Sequence, residues 1–161
     1  NDADGDKKDY SNYESTAQTV ADRFSSYQDT EYDTVATKAQ GAKTWNTFQA
    51  NAELYPNLTW RTVGDARVRP SHQLLNNLTA PMNSPIWQKY WIGMDYGCRC
   101  DIEQTDSEPV TNQNKAMQLF KDAAPPTELQ GNPGITKQVF GEQHAYFKGT
   151  LKRVDKMKIA A

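Results

Sequence analysis

Cysteine and histidine are scarce in this chain, with two of each among 161 residues. Both cysteines lie in Tyr96-Gly97-Cys98-Arg99-Cys100, one residue apart. A bridge between positions i and i+2 is strained, so the pair is no ordinary structural disulfide and its thiols are expected to be reduced or metal-bound. No apolar run approaches the ~18 residues of a membrane span. The opening Asn1 to Glu14 lacks the basic and apolar regions of a secretory leader. The expectation is no membrane partner and no secretory route, which makes the glycosylation patterns Asn57-Leu58-Thr59 and Asn77-Leu78-Thr79 chance matches. With no G-x-S-x-G, no phosphate loop and no H-E-x-x-H, the usual catalytic sets are missing, so neither an enzyme nor a catalytic residue is expected. The acidic Asp2 to Asp6 is no calcium loop either, because Tyr13 stands where the twelfth-position Glu would be.

What is present fits one domain with a modest core: 37% hydrophobic residues, 24% charged, net charge −2. That charge alone predicts neither nucleic-acid nor membrane binding. Its distribution is uneven. The first 33 residues carry nine acids against three bases, and the tail from Lys148 carries five bases against Asp155. The two ends could attract each other, or a partner.

The expected organisation is a polar lead-in and helical segment over 1–29, a module over 30–147 and a basic tail over 148–161. An early helical piece carries Val20, Phe24 and Tyr27. Thr30 with Asp33 reads as a capping box that starts a helix to near Glu53, with Tyr32, Val35, Ala36, Ala39, Ala42, Trp45, Phe48 and Ala52 as its apolar stripe. Residues 58–63 alternate and are β-rich, and Pro70 opens a short helix through Leu75. Residues 76–97 hold Trp87, Tyr90, Trp91 and Tyr96 among Asn, Pro and Gly, which predicts an ordered irregular loop pinned by aromatics. From Cys98 the alternation predicts a strand to near Gln104, with Cys98, Cys100 and Ile102 on its buried side and Arg99, Asp101 and Glu103 opposite. A helix over 112–123 ends before Pro125-Pro126, and Gly131 to Gly134 is turn chemistry. Val139, Phe140, Tyr146, Phe147 and Leu151 would add a last apolar layer. The fold class expected is α+β: a long N-terminal helical segment, a small antiparallel sheet, a long ordered aromatic loop and a packed C-terminal helix.

Two clusters could carry chemistry. His72, Cys98 and Cys100 are ligand types that zinc takes, although H-x25-C-x-C is not a finger spacing. The alternative is that the thiols are small core hydrophobes and His72 bonds a carbonyl. His144 or Asp65 could complete a fourth position. Arg61, Arg67, Arg69 and Arg99 are four of the six arginines and surround Asp65, Asp95 and Asp101. They form either an internal Arg–Asp network holding the loop, or a phosphate patch with Trp87, Tyr90 and Trp91 stacking on bases. The patch reading makes Arg67, His72 and Arg99 a DNA-binding or nuclease-type cluster, with Glu103 as a further acid–base group.

Together, W-R-T-V-G-D-A-R-V-R-P-S-H-Q-L-L (Trp60 to Leu75), S-P-I-W-Q-K-Y-W (Ser84 to Trp91) and Y-G-C-R-C-D (Tyr96 to Asp101) resemble the minor head protein family of tailed phages named for the F protein of phage Mu. G-N-P-G-I-T-K-Q-V-F and H-A-Y-F, from Gly131 and His144, resemble its flanking parts. The resemblance covers residues 30 to 147. It implies a phage or prophage protein acting in head morphogenesis, associated with portal, capsid or scaffold proteins inside the virion, assembled in the bacterial host cytoplasm and sometimes linked to DNA packaging or delivery. Many relatives carry a cysteine pair where this chain has Arg69 and His72, and look like four-ligand zinc sites. Here His72, Cys98 and Cys100 match that pattern and Arg69 does not. Too little chain follows the module for a fused toxin domain, and the chain is expected to be a fragment of a longer protein.

Overall fold

A computed structural model describes residues 10–109, 112–144 and 147. Residues 1–9 of the lead-in and helical segment expected over 1–29, and the basic tail over 148–161, with Tyr146 and Leu151, lie outside the described residues, as do the side chains of Val20 and Phe24. The elements are helix α1 (Tyr10–Ala50), strand β1 (Asn57–Arg61), helix α2 (Pro70–Gln73), strand β2 (Thr79–Pro81), helix α3 (Pro85–Lys89), strand β3 (Asp101–Thr105), helix α4 (Gln113–Asp122), a 3-10 turn (Thr127–Leu129) and helix α5 (Pro133–Thr136). The class is α+β. The chain divides into two compact units between Asp33 and Thr34. No described helix is long and apolar enough to cross a membrane.

In the first unit, every described side chain from Glu14 to Asp33 is exposed except half-buried Glu31. The capping box expected at Thr30 is not a helix start, since α1 begins at Tyr10 and the Thr30 hydroxyl donates to the Ser26 carbonyl one turn back. A threonine can satisfy its hydroxyl inside a helix in this way, which makes the motif ambiguous.

In the second unit the buried face of α1 is Thr34, Lys38, Gly41 and Trp45, with Phe48 half-buried on it and Ala52 half-buried in the turn that follows. The expected apolar stripe fails in its first half, where Tyr32, Val35, Ala36 and Ala39 are exposed. Close approach, rather than hydrophobicity, selects the buried positions. The Trp91 indole donates to the Gly41 carbonyl at 2.8 Å, and a Cβ on Gly41 would stand 3.1 Å from both that nitrogen and the Ile92 Cβ. Gly93, at φ +77°, passes so near that its Cβ would lie 2.8 Å from Lys38 Cγ. The Lys38 stem packs there and its ammonium donates to the Leu129 carbonyl at 2.6 Å.

The sheet is antiparallel with order β2-β1-β3, in register Leu58 to Ala80 and Trp60 to Ile102. Central strand β1 is covered on both faces. Leu58 and Trp60 enter the core, while Asn57 donates to the Ser107 carbonyl and the Thr59 and Thr79 hydroxyls meet at 2.9 Å. The two-stranded sheet expected from sequence is therefore three-stranded, because the stretch read as irregular loop contains β2 and α3. β2 is only three residues long and ends in Pro81, too short to show a period-two pattern.

Trp60, Trp87, Tyr90, Trp91 and Phe120 are fully buried and meet mostly edge to face, with Trp45 5.1 Å from Trp91 and Trp60 5.3 Å from Phe120; Tyr90 stacks on Phe120 at 5.0 Å. Phe120 comes from α4, which Asn112 caps by accepting from the Asn114 and Lys115 amides. Beyond it, Asn132 donates to the Trp87 carbonyl and accepts from the Gly134 amide, and Gly134 lies flat on Trp45, where a Cβ would fall 2.5 Å from the Trp45 Cβ. The turn chemistry expected at Gly131 to Gly134 thus starts α5.

Burial lowers the Lys38 pKa from 10.5 to about 8. A base depressed on folding binds fewer protons folded than unfolded between those values, so stability rises with pH across that window. The penalty is full below pH 8 and vanishes above 10.5, a span of roughly 3 kcal/mol. Urea unfolding of wild type and Lys38→Met from pH 7.5 to 10.5 should show wild type gaining on the variant by about that amount; a constant difference would mean the ammonium is hydrated.

Candidate metal centre

His72, Cys98 and Cys100 come together from α2 and from the extended approach to β3. Pro70 at the first helical position starts the single turn of α2, which buries His72. The strand expected from Cys98 begins only at Asp101, opposite Arg61, because after Arg61 the chain leaves the ladder and the Thr62 amide turns to the Asn76 side chain. Alternation nonetheless persists upstream, with Cys98 and Cys100 buried and Arg99 exposed. Gly97, at φ +64°, and the Cys98 amide, which donates to the Asp95 carbonyl, form the turn that delivers both sulfurs to one side.

His72 Nδ1 lies 3.6 Å from Cys98 Sγ and 3.7 Å from Cys100 Sγ, and the three ligand atoms fall within 4.8 Å of one another. With Zn–N near ~2.0–2.1 Å and Zn–S near ~2.3 Å, a tetrahedral ion separates nitrogen from sulfur by about 3.6 Å. The donor set fits in a second respect. His72 Nε2 has no hydrogen-bond partner but stands 3.5 Å from Asp95 Oδ2, within ion-pair reach on the side away from the sulfurs. That is where a metal-bound imidazole usually meets a carboxylate. The Trp60 indole N–H is likewise buried without a hydrogen bond, yet it is near enough to Cys100 to favour the thiolate there.

The electrostatics favour charge at the site. Burial opposes the imidazolium, but Asp95 and Cys98 outweigh it and hold His72 at about 9. The Cys100 thiol pulls Cys98 downward against the cost of burial, with His72 helping, while Cys98 pushes Cys100 up. Negative charge is therefore favoured on Cys98 and the proton on Cys100, and a metal bound by both sulfurs would displace that proton.

The arginine cluster resolves into two clamps. Arg99 grips Asp65 through Nη1 at 2.8 Å and Nη2 at 2.7 Å, holding that carboxyl well below the usual range, and the Arg67 amide adds a bond at 3.0 Å. Arg69 donates to the Tyr96 carbonyl at 2.7 Å and stands 3.4 Å from Asp95. Both clamps tie the 65–69 segment to the 95–99 segment. Arg61 belongs to neither: it bonds Glu103 at 2.6 Å and Asn77, at the end of the sheet. Among the described residues no ion pair joins Asp101 to an arginine; its carboxylate accepts from the adjacent Ile102 amide. The Arg67, His72 and Glu103 trio is not assembled, because Arg61 holds Glu103 on the exposed face while His72 is buried. Trp87, Tyr90 and Trp91 are fully buried and offer no face for a base. Neither suggested fourth ligand is placed: Asp65 is gripped by Arg99, and His144 stacks on Phe140 at 4.0 Å.

Sequence reasoning did not assign Asp95 or Trp60 to the centre. An acid three residues before a C-x-C was a usable signal for a carboxylate beside the histidine. The role of Trp60 needed the sheet register, which sets it opposite Ile102.

Comparison with known proteins adds identity to this geometry. The family model described as Phage Mu protein F like protein matches residues 9–103, which include every residue of the centre and both clamps. A protein F of Escherichia phage Mu, provisionally named a capsid assembly protein, is 31% identical over 64 residues, 40% of this chain and 15% of that protein. The Mu-like prophage FluMu F protein of Haemophilus influenzae is 32% identical over 63 residues, 39% of this chain and 15% of its own length. The chain thus matches about one seventh of either relative. No solved structure matches it significantly.

The clamps can be separated by hydrogen exchange. Asp65→Asn should speed exchange of the Cys98 amide by up to about fivefold, as for an exposed pair, and Arg67→Ala should leave it unchanged. Equal rates in Asp65→Asn and wild type would show that the Asp65 to Arg99 pair holds nothing.

Proposed function

Since this chain belongs to the Phage Mu protein F like family, we propose that it is part of a structural protein of phage or prophage heads, acting in capsid assembly through contacts with other head proteins. The observation that carries the reading is the match over residues 9–103, which spans α1, β1, β2 and the centre and ends within β3. Association with the portal, a place inside the virion and assistance to DNA packaging or delivery are finer parts of the same proposal. They are what a minor head component would do, and the name of the phage Mu relative supports the assembly role.

Within that role the centre acts as a clamp. A zinc ion on His72, Cys98 and Cys100 would join α2 to the approach of β3, closing the 76–97 excursion as a cross-link of soft ligands does in small folds. Asp95 orients the imidazole and Arg69 and Arg99 fix the two backbones. The metal supplies only this cross-link. Without it the aromatic core and arginine clamps still hold the segment, since Trp87 donates to the Ala80 carbonyl, Trp91 donates to the Gly41 carbonyl and packs on Trp45, and Tyr90 stacks on Phe120.

Two measurements test the reading. Elemental analysis of protein purified under reducing conditions should find about one zinc per chain, lost in His72→Ala; no zinc with an intact thermal transition would make the thiols core residues only. Induction of a prophage lacking this coding region should give few filled heads by electron microscopy, restored by the gene in trans. Normal head yield without it would overturn the assembly role.

A further inference from the structure

Tyr13, Ala17, Val20, Phe24 and Tyr27 recur along α1 at steps of four, three, four and three, and Glu31 at the next step ends the apolar run. The same spacing carries Thr34, Lys38, Gly41 and Trp45, the buried positions of the second unit. An apolar residue at each step of such a repeat is the seam along which one helix meets another. In the first unit that seam is open. Ala17 is exposed, Tyr27 is 64% exposed, and among the described residues the hydrophobic core takes in nothing before Trp45.

Charge decides what fits the seam. Residues 10–33 carry five acids against Arg23, a net charge of −4. Two such arms laid together would bring −4 against −4, so a second arm is the wrong occupant. Residues 148–161 carry the opposite balance, five bases against Asp155, a net of +4. After the exposed Phe147, Leu151, Val154 and Met157 follow at steps of four, three and three, an apolar stripe of helical period. Length agrees as well: the 14 residues of that segment would run ~21 Å as a helix, and Tyr13 to Tyr27 spans the same ~21 Å of α1.

We propose that residues 10–33 dock the basic segment 148–161 of a second copy of this chain, with the apolar stripe of the segment on the seam. Glu14 and Glu31, at the two ends of the seam, are the acids placed to meet its lysines, and the remaining charge steers the approach. The proposal rests on the assembly reading above, which calls for contact between chains rather than the return of a segment onto its own arm. Reciprocal exchange in a two-fold dimer fills both arms, doubles the buried seam and closes after two copies.

Sedimentation velocity of the full chain over rising concentration tests this, at low salt and at about 1 M, where the Debye length falls to ~3 Å. Wild type should pass from monomer to dimer, with a dissociation constant about tenfold higher at high salt. A chain lacking 148–161 should stay monomeric. So should Phe24→Asp, with a wild-type thermal transition, because the core begins at Trp45. Mixed together, these two should form a heterodimer, since one keeps a free arm and the other a free segment. Wild type that is monomeric throughout would overturn the proposal, whereas failure of the assembly reading would appear separately, as normal head yield without the gene. A dimer that survives loss of 148–161 would overturn it in favour of another surface, and two variants that do not pair would overturn the exchange.

Discussion

The Trp91 indole is where the elements of the second unit meet. Its ring is fully buried, packs edge to face on Trp45 of α1 and Trp87 of α3, and reaches Phe48 at 6.4 Å. Its N–H donates to the Gly41 carbonyl, so a large apolar surface and a directional bond act on one residue. Burial of a ring this size contributes on the order of 3 kcal/mol, and the hydrogen bond keeps that burial from stranding a polar atom. Gly41, Gly93 and Gly134 each remove a side chain where another backbone or ring must pass, and two of the three approach α1 at Lys38 or Trp45. The sheet, α3 and α4 are arranged around this contact, and the 95–100 segment follows directly from it in the chain.

Much of this was legible. The α+β class, a helix close to α4, the proline start of α2 and the inward-facing Cys98, Cys100 and Ile102 all follow from local rules, because each depends on neighbours within a few residues. The illegible parts depend on distant contacts. The buried face of α1 runs through Lys38 and Gly41, which no hydropathy pattern would select, since what decides them is the approach of Trp91 and Gly93. β2 gains its strand character only by pairing with β1. The proximity of His72 to the thiols was suggested by ligand type, whereas the placement of Asp95 and Trp60 around them required the register.

The arginines show how the same residues support different functions according to geometry. A cluster of four reads equally as a phosphate patch or an internal network from sequence. The structure spends Arg99 and Arg69 on backbone clamps and Arg61 on the sheet end, leaving Arg67 as the cation with the loosest ties. Burial of the loop aromatics weakens the nucleic-acid reading in the same way. What remains is a small polar face around two sulfurs and an imidazole, in a family whose phage Mu member is named for capsid assembly.

Helix α1 carries its forty-one residues through two different environments. From Thr34 onward one side of it is fixed by rings and glycines, while the described side chains from Glu14 to Asp33 make almost no buried surface. Starting a helix is costly, but extending one is nearly free, so the packed turns serve as a standing nucleus for those ahead of them. A partner that recognised those turns would meet them already wound, and would forgo most of the ordering entropy that a disordered arm must lose on binding.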